Sequence, residues 1–232
     1  GVGKTYSMLR AAHEAKSRGI DVVAGFVDTH GRAQTTQLLH GLESLRTRKM
    51  DFESGLKREF DLDAALRRSP RLILVDELAH TNGSGSRHAK RYQDVQELLS
   101  AGIDVYTTVN VQHIESLNDT VASITGVLVR ERIPDSVFDQ ADQVEVIDIE
   151  PDDLIRRMKE GKIYGESQAE RALSNFFRRE KLVALREIAL RRTADRVSRM
   201  AEEERSLSDN QDYHTGEHIL VCITAAPSTA QV

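Results

Sequence analysis

Gly1-Val2-Gly3-Lys4-Thr5 is the second half of the pattern G-x-x-x-x-G-K-[ST]. In that loop backbone N–H groups cradle phosphates, the lysine reaches the β/γ-phosphates and the Ser/Thr hydroxyl takes a place on Mg²⁺. The reading fixes a ligand class, a nucleoside triphosphate with magnesium. It also fixes a local fold, a loop that feeds a helix N-terminus, where the helix dipole favours negative charge. The first glycine of the pattern and its leading strand would lie upstream of Gly1. An apolar strand ending in Gly-x-x there would complete the loop.

Beyond the loop, Met8, Ala11, Ala12 and Ala15 recur at helical spacing, and Gly19 stands where a C-cap is expected. Ile20–Val27 (IDVVAGFV) reads as a buried parallel strand, being nearly continuous apolar sequence with β-branched residues. A helix over Gln34–Leu45 and a weaker strand near Arg48–Phe52 follow. Asp61 caps a short helix through Arg68 that Ser69-Pro70 ends. Leu72–Val75 is the most apolar strand and delivers Asp76-Glu77. After the Asn82–Ser86 loop come a helix over Tyr92–Ala101, a strand over Ile103–Asn110 and a helix near Ile114–Ile124. Gln143–Ile149 reads as a last strand, and Pro151 with Asp152 and Asp153 suits the first turn of another helix.

Strands alternating with helices imply a parallel sheet with right-handed crossovers. Residues 1–166 are therefore expected to form one α/β domain, a P-loop-type doubly wound, mostly parallel sheet. Ligands of such sheets bind beyond the carboxyl ends of the strands. That rule puts Thr5, Asp28, Asp76 and Asn110 on one rim.

The pattern then changes. Ser167-Gln168-Ala169-Glu170 is a capping box, and the expected long C-terminal helix occupies 167–205. Between Arg171 and Arg199 nine Arg/Lys stand against three Asp/Glu. This Arg-rich helix reads as a solvated spacer, a docking face for an acidic partner, or a surface facing anionic lipid. Residues 206–217 are a polar linker, and 218–232 open with a further strand, His218–Thr224.

Composition narrows the function. The 232 residues carry a formal net charge of −5, so no broad cationic field exists to hold nucleic acid. The single cysteine, Cys222, excludes an intrachain disulfide and fits a reducing compartment. No apolar run approaches the ~20 residues of a membrane span.

The candidate chemistry gathers at strand ends. Cofactor-binding candidates are Gly1, Gly3, Lys4, Thr5 and Asp76, with Thr5 and Asp76 as the Mg²⁺ ligands of an ATP–Mg²⁺ complex. Glu77 is a candidate general base, or merely caps the next helix. Asp28, His30 and Arg32 read a γ-phosphate or second substrate, or simply form a polar loop. His80 and Asn82 resemble a switch loop, and Asn110 and His113 could act similarly; structural roles stand beside these readings.

Several of these stretches together resemble the N-terminal sensor region of KdpD histidine kinases. They are Gly1–Thr5, Asp28–Arg32 (DTHGR), Leu74–Asn82 (LVDELAHTN), Gly85–His88 (GSRH), Asp104–His113 (DVYTTVNVQH) and Asn175–Arg178 (NFFR). The resemblance runs nearly unbroken from Gly1 to about Arg199. His218–Val232 resembles the start of a universal-stress-protein-like domain. The resemblance implies a cytoplasmic, ATP-binding regulatory module of a two-component sensor held in the inner or plasma membrane. Its implied partners are the transmitter and membrane domains of the same protein, and a response regulator. No phosphoacceptor helix or transmitter ATP-lid pattern occurs, so histidine-kinase chemistry is not expected of this segment itself.

Overall fold

The computed structural model describes residues 2–52, 55–160 and 178–207. They fall into two compact units, one through Arg191 and one that begins at Arg192. Helix α1 (Lys4–Ser17) starts directly at Lys4, with Gly3 at φ 106 preceding it. Such a φ is ordinary only for glycine. Met8, Leu9, Ala12 and Ala15 form its buried face.

Four strands make a parallel sheet in the order β2-β1-β5-β6. These are β1 (Val22–Phe26), β2 (Glu43–Ser44), β5 (Leu72–Val75) and β6 (Asp104–Thr107). Side chains alternate across a strand, and β5 uses the alternation fully. Leu72 and Leu74 join Met8, Leu9 and Ala12 of α1, whereas Ile73 and Val75 join Ala65, Val95 and Leu98. Those last three come from α3 (Leu62–Arg68) and α4 (Arg91–Ser100). Both faces of the sheet are thus covered, and each fully buried Leu or Ile contributes about 1.5–3 kcal/mol. Gly25 fits beneath Phe60 and Ile73, where an added Cβ would lie 2.7 Å from Ile73 Cδ1.

Several expectations need correction. The helix expected over Gln34–Leu45 is α2 (Ala33–Leu39); His40 turns extended, Gly41 takes φ 85, and Glu43–Ser44 pass into the sheet. The strand at β3 (Arg48–Phe52) pairs antiparallel with an unforeseen β4 (Gly55–Glu59), as a ribbon separate from the main sheet. Two 3₁₀ turns precede α5 (Asn118–Thr125), and Ile114 instead forms a bridge with Ile133. A short α6 (Asp135–Asp139) was not foreseen.

Gln143–Ile149 is not a strand. Val144 packs on the main core and Ile149 on a small cluster with Leu154 and Met158. Apolar residues can be anchored in this way without any ladder partner.

Helix α7 (Pro151–Lys159) begins at Pro151 with Asp152 and Asp153 in its first turn, as expected. Helix α8 (Arg179–Leu207) is the long C-terminal helix. It runs through Ser206, where the linker was expected to start. The capping box at Ser167–Glu170, the remainder of the linker and the strand at His218–Thr224 lie outside the described residues, as does Gly1. Among the described residues, no helix is long and apolar enough to cross a membrane.

Candidate functional site

The site forms where β1, β5 and β6 end beside the start of α1. Asp76, the first residue beyond β5, is 1% exposed and is held from several directions. Its Oδ2 accepts from the Thr5 hydroxyl at 2.9 Å and from the Asp28 backbone N–H at 3.4 Å. Its Oδ1 accepts from the Thr108 hydroxyl and from the Glu77 N–H, the latter at 3.1 Å. Lys4 Nζ donates to Asn110 Oδ1. The predicted rim of Thr5, Asp28, Asp76 and Asn110 is therefore one connected cluster.

Two backbone features shape this rim. Glu77 has φ 60 and His30 has φ 48, both left-handed and neither glycine. Such residues cost of order 1–3 kcal/mol each and concentrate at functional sites. His30 Nδ1 lies 3.2 Å from Asp28 Oδ2 and its Nε2 lies 3.8 Å from Glu77 Oε1. The imidazole therefore bridges two carboxylates. Asp28, His30 and Glu77 offer ligand atoms within 4.8 Å of one another.

Electrostatics differ across the site. Burial pushes the Lys4 pKa down; the Asp76 carboxylate resists and the Arg32 charge adds to the depression. Burial pushes Glu77 up, and repulsion from Asp76 adds to it, against the pull of Arg91. A glutamate whose ionisation is disfavoured while it sits beside a fixed carboxylate is the arrangement that makes a stronger base.

The side-chain hydrogen bonds of His80, Asn82 and His113 reach other groups. His80 Nε2 lies 2.9 Å from Glu59 Oε2, Asn82 Nδ2 donates to Asp94 Oδ2 at 2.7 Å, and His113 Nδ1 lies 2.7 Å from the Glu131 carbonyl. His80 nevertheless touches the site through its backbone, its N–H donating to the Glu77 carbonyl at 3.0 Å, and it shares Glu59 with Arg91. Fully buried Arg91 donates to the Asp76 carbonyl at 3.1 Å and to Glu59 Oε1, and its guanidinium lies 4.1 Å from the Phe26 ring centroid. Burial opposes ionisation of Glu59, yet the His80 hydrogen bond and the Arg91 charge hold its pKa down to about 2.

Thr108, Glu59 and Arg91 were missed by sequence reasoning. Thr108 had a signal, lying two residues before Asn110 at a strand end. Glu59 and Arg91 had none, because each looks locally like a solvated charge.

Thr5 and Asp76 are the residues that could hold a magnesium ion. Cis ligands of an octahedral ion with bonds of 2.0–2.1 Å stand about 2.9 Å apart, and Thr5 Oγ1 and Asp76 Oδ2 are separated by 2.9 Å.

The family model for KdpD, described as the osmosensitive K⁺ channel His kinase sensor domain, matches residues 1–197. The chain belongs to that family. It is 56% identical to the sensor protein KdpD of Clostridium acetobutylicum, over all of this chain and 26% of that protein. It is 54% identical to sensor protein KdpD of Escherichia coli, over 96% of this chain and 25% of that protein. A putative sensor protein KdpD from Synechocystis is 51% identical, over all of this chain and 62% of that protein. The chain therefore spans about a quarter of the first two KdpD proteins and a larger share of the third. Its most polar rim coincides with the stretches on which the sequence resemblance rested.

Proposed function

We propose that this KdpD domain is a P-loop, doubly wound nucleotide-binding module whose occupancy by ATP–Mg²⁺ is the signal it carries. The observation supporting this most directly is the Thr5–Asp76 contact, at a separation that suits adjacent ligands of one magnesium ion. Lys4 would neutralise the β/γ-phosphates, with Asn110 holding its ammonium when the site is not engaged. Thr5 and Asp76 would hold the ion, which on binding supplies charge neutralisation of the phosphates. Loops at Asp28–Arg32 and His80–Asn82 would take their positions from the bound state. Helix α8 would carry the change toward the transmitter of the parent sensor kinase in the membrane. There it would tune the balance of kinase and phosphatase action on a response regulator, under potassium limitation or osmotic stress.

A second reading is turnover, an autonomous P-loop ATPase or small-molecule kinase. The raised pKa of Glu77 beside Asp76 favours it. Steady-state phosphate release by a chain that carries the complete G-x-x-x-x-G-K-[ST] pattern separates the two. Binding with negligible turnover supports the switch, while sustained turnover that collapses in Glu77→Gln supports the enzyme. Absence of any thermal stabilisation by millimolar ATP and Mg²⁺ rejects both in favour of a nucleotide-independent interaction module.

A further inference from the structure

Several arginines in this fold are matched to acids. Arg68 binds Asp21 and Glu43, Arg91 binds Glu59, and Arg186 binds Asp148 and Glu150. Arg32 departs from this pattern. It is partly buried, its Nε is shielded from solvent without a hydrogen-bond partner, and among the described residues its side chain has no carboxylate partner. The acids on either side of the rim, Asp28 and Glu77, are bridged by His30 instead.

Its charge cannot be relieved by titration, since a guanidinium stays protonated throughout the working pH range. The loop that carries it meets the site directly, the Asp28 N–H donating to Asp76 Oδ2 at 3.4 Å, and the Arg32 charge is among the causes that lower the Lys4 pKa. Two cations partly removed from water and set against each other are unfavourable alone, and an anion spread over adjoining groups relieves both. Lysine meets such an anion as a point charge, whereas the arginine fork matches the oxygens of a single phosphoryl group. The fork is also carried on a defined turn. His30 and Gly31 take φ 48 and 70 in succession, and the Arg32 N–H closes on the Thr29 carbonyl at 3.0 Å.

We infer that Arg32 is the group that distinguishes nucleoside triphosphate from diphosphate, its guanidinium binding the terminal phosphate beside Lys4. The inference rests on the nucleotide reading above and gives the 28–32 loop its role: it is set by the γ-phosphate. Lys4 also serves the β-phosphate that both nucleotides share, whereas Arg32 serves only the phosphate lost on hydrolysis.

The test is isothermal titration of the upstream-extended chain with Mg·ATP and with Mg·ADP, in wild type, Arg32→Ala and Arg32→Lys. A charge-assisted contact predicts that Arg32→Ala weakens Mg·ATP about ten- to a hundredfold while Mg·ADP changes by no more than about twofold. Arg32→Lys restores part of the preference, and the melting temperature without nucleotide stays unchanged in both variants. A loss of equal size for both nucleotides, or no loss for either, overturns the assignment while leaving the nucleotide reading intact. Wild-type chain that binds neither nucleotide overturns the nucleotide reading and this inference with it.

Discussion

The Thr5 hydroxyl and Asp76 Oδ2 meet at 2.9 Å across a sequence separation of 71 residues. The contact follows from how the sheet is covered. Helix α1 lies on the face of β5 that carries Leu72 and Leu74, so its first turn reaches the end of that strand where Asp76 emerges. Because Asp76 also accepts from Thr108 and from two backbone N–H groups, its carboxylate is fixed before any ligand arrives.

Asp76→Asn therefore separates metal from phosphate. The amide keeps an acceptor for Thr5 but removes the charge that an ion needs. Affinity for Mg·ATP is expected to fall at least about tenfold, as loss of one charge-assisted contact implies. Affinity for ATP measured in excess EDTA is expected to stay unchanged. Equal losses with and without the metal would remove Asp76 from the ion's coordination.

The Arg91–Glu59 pair should show the asymmetry of buried ions. Arg91→Leu leaves Glu59, 2% exposed, without its guanidinium partner, and is expected to cost about 3–5 kcal/mol in urea denaturation. Replacing both, as Arg91→Leu with Glu59→Met, should recover much of that loss. In wild type the depressed Glu59 pKa, about 2 in the fold against 4.5 unfolded, means its stabilisation is complete above pH 4.5. It is lost as pH falls through about 2, and Glu59→Gln should flatten that acid limb.

Asp94 has the opposite sign. Burial raises its pKa from 3.8 to about 6, although the Asn82 hydrogen bond opposes the shift. Between those values the folded state holds a proton that the unfolded chain releases, so stability declines as pH rises from 3.8 to about 6. Asp94→Asn retains an acceptor for Asn82 and removes this slope. The variant is expected to exceed wild type by about 1–3 kcal/mol at pH 7, with the gap closing near pH 4. Denaturant titrations at the two pH values measure it, and a gap independent of pH would contradict the assignment.

Gly25 tests the packing beneath the site. A methyl there meets Phe60 Cε2 at 2.8 Å and Ile73 at 2.7 Å, both in the buried core. Gly25→Ala should cost about 1–3 kcal/mol, the usual range for overpacking, while Gly19→Ala probes only a left-handed φ with open space around it. Comparing melting temperatures of the two variants separates steric from conformational cost.

What was legible in the sequence was what repeats locally. The runs at Val22–Phe26 and Leu72–Val75 announce buried parallel strands, and strand order then places Thr5, Asp28, Asp76 and Asn110 at one rim. Strand β4 was hidden because Gly-Leu-Lys-Arg-Glu shows no alternation of apolar residues, its inward Glu59 being buried as an ion. Arg91 was hidden because its partner lies 32 residues away, and nothing nearby distinguishes it from a surface arginine. At Gln143–Ile149 the apolar residues do pack inward, but hydrogen-bond pairing is a property of neighbours that an apolar run cannot report. The two left-handed residues, His30 and Glu77, likewise follow from tertiary constraint rather than from propensity.

The central claim is that Lys4, Thr5 and Asp76 share one triphosphate–magnesium site. Isothermal titration of Mg·ATP into the upstream-extended chain and into its Lys4→Ala variant tests it most directly. The account predicts a saturable, Mg²⁺-dependent, one-to-one heat in wild type that vanishes in Lys4→Ala while the variant's melting temperature without nucleotide holds. An unchanged binding curve in Lys4→Ala would contradict it.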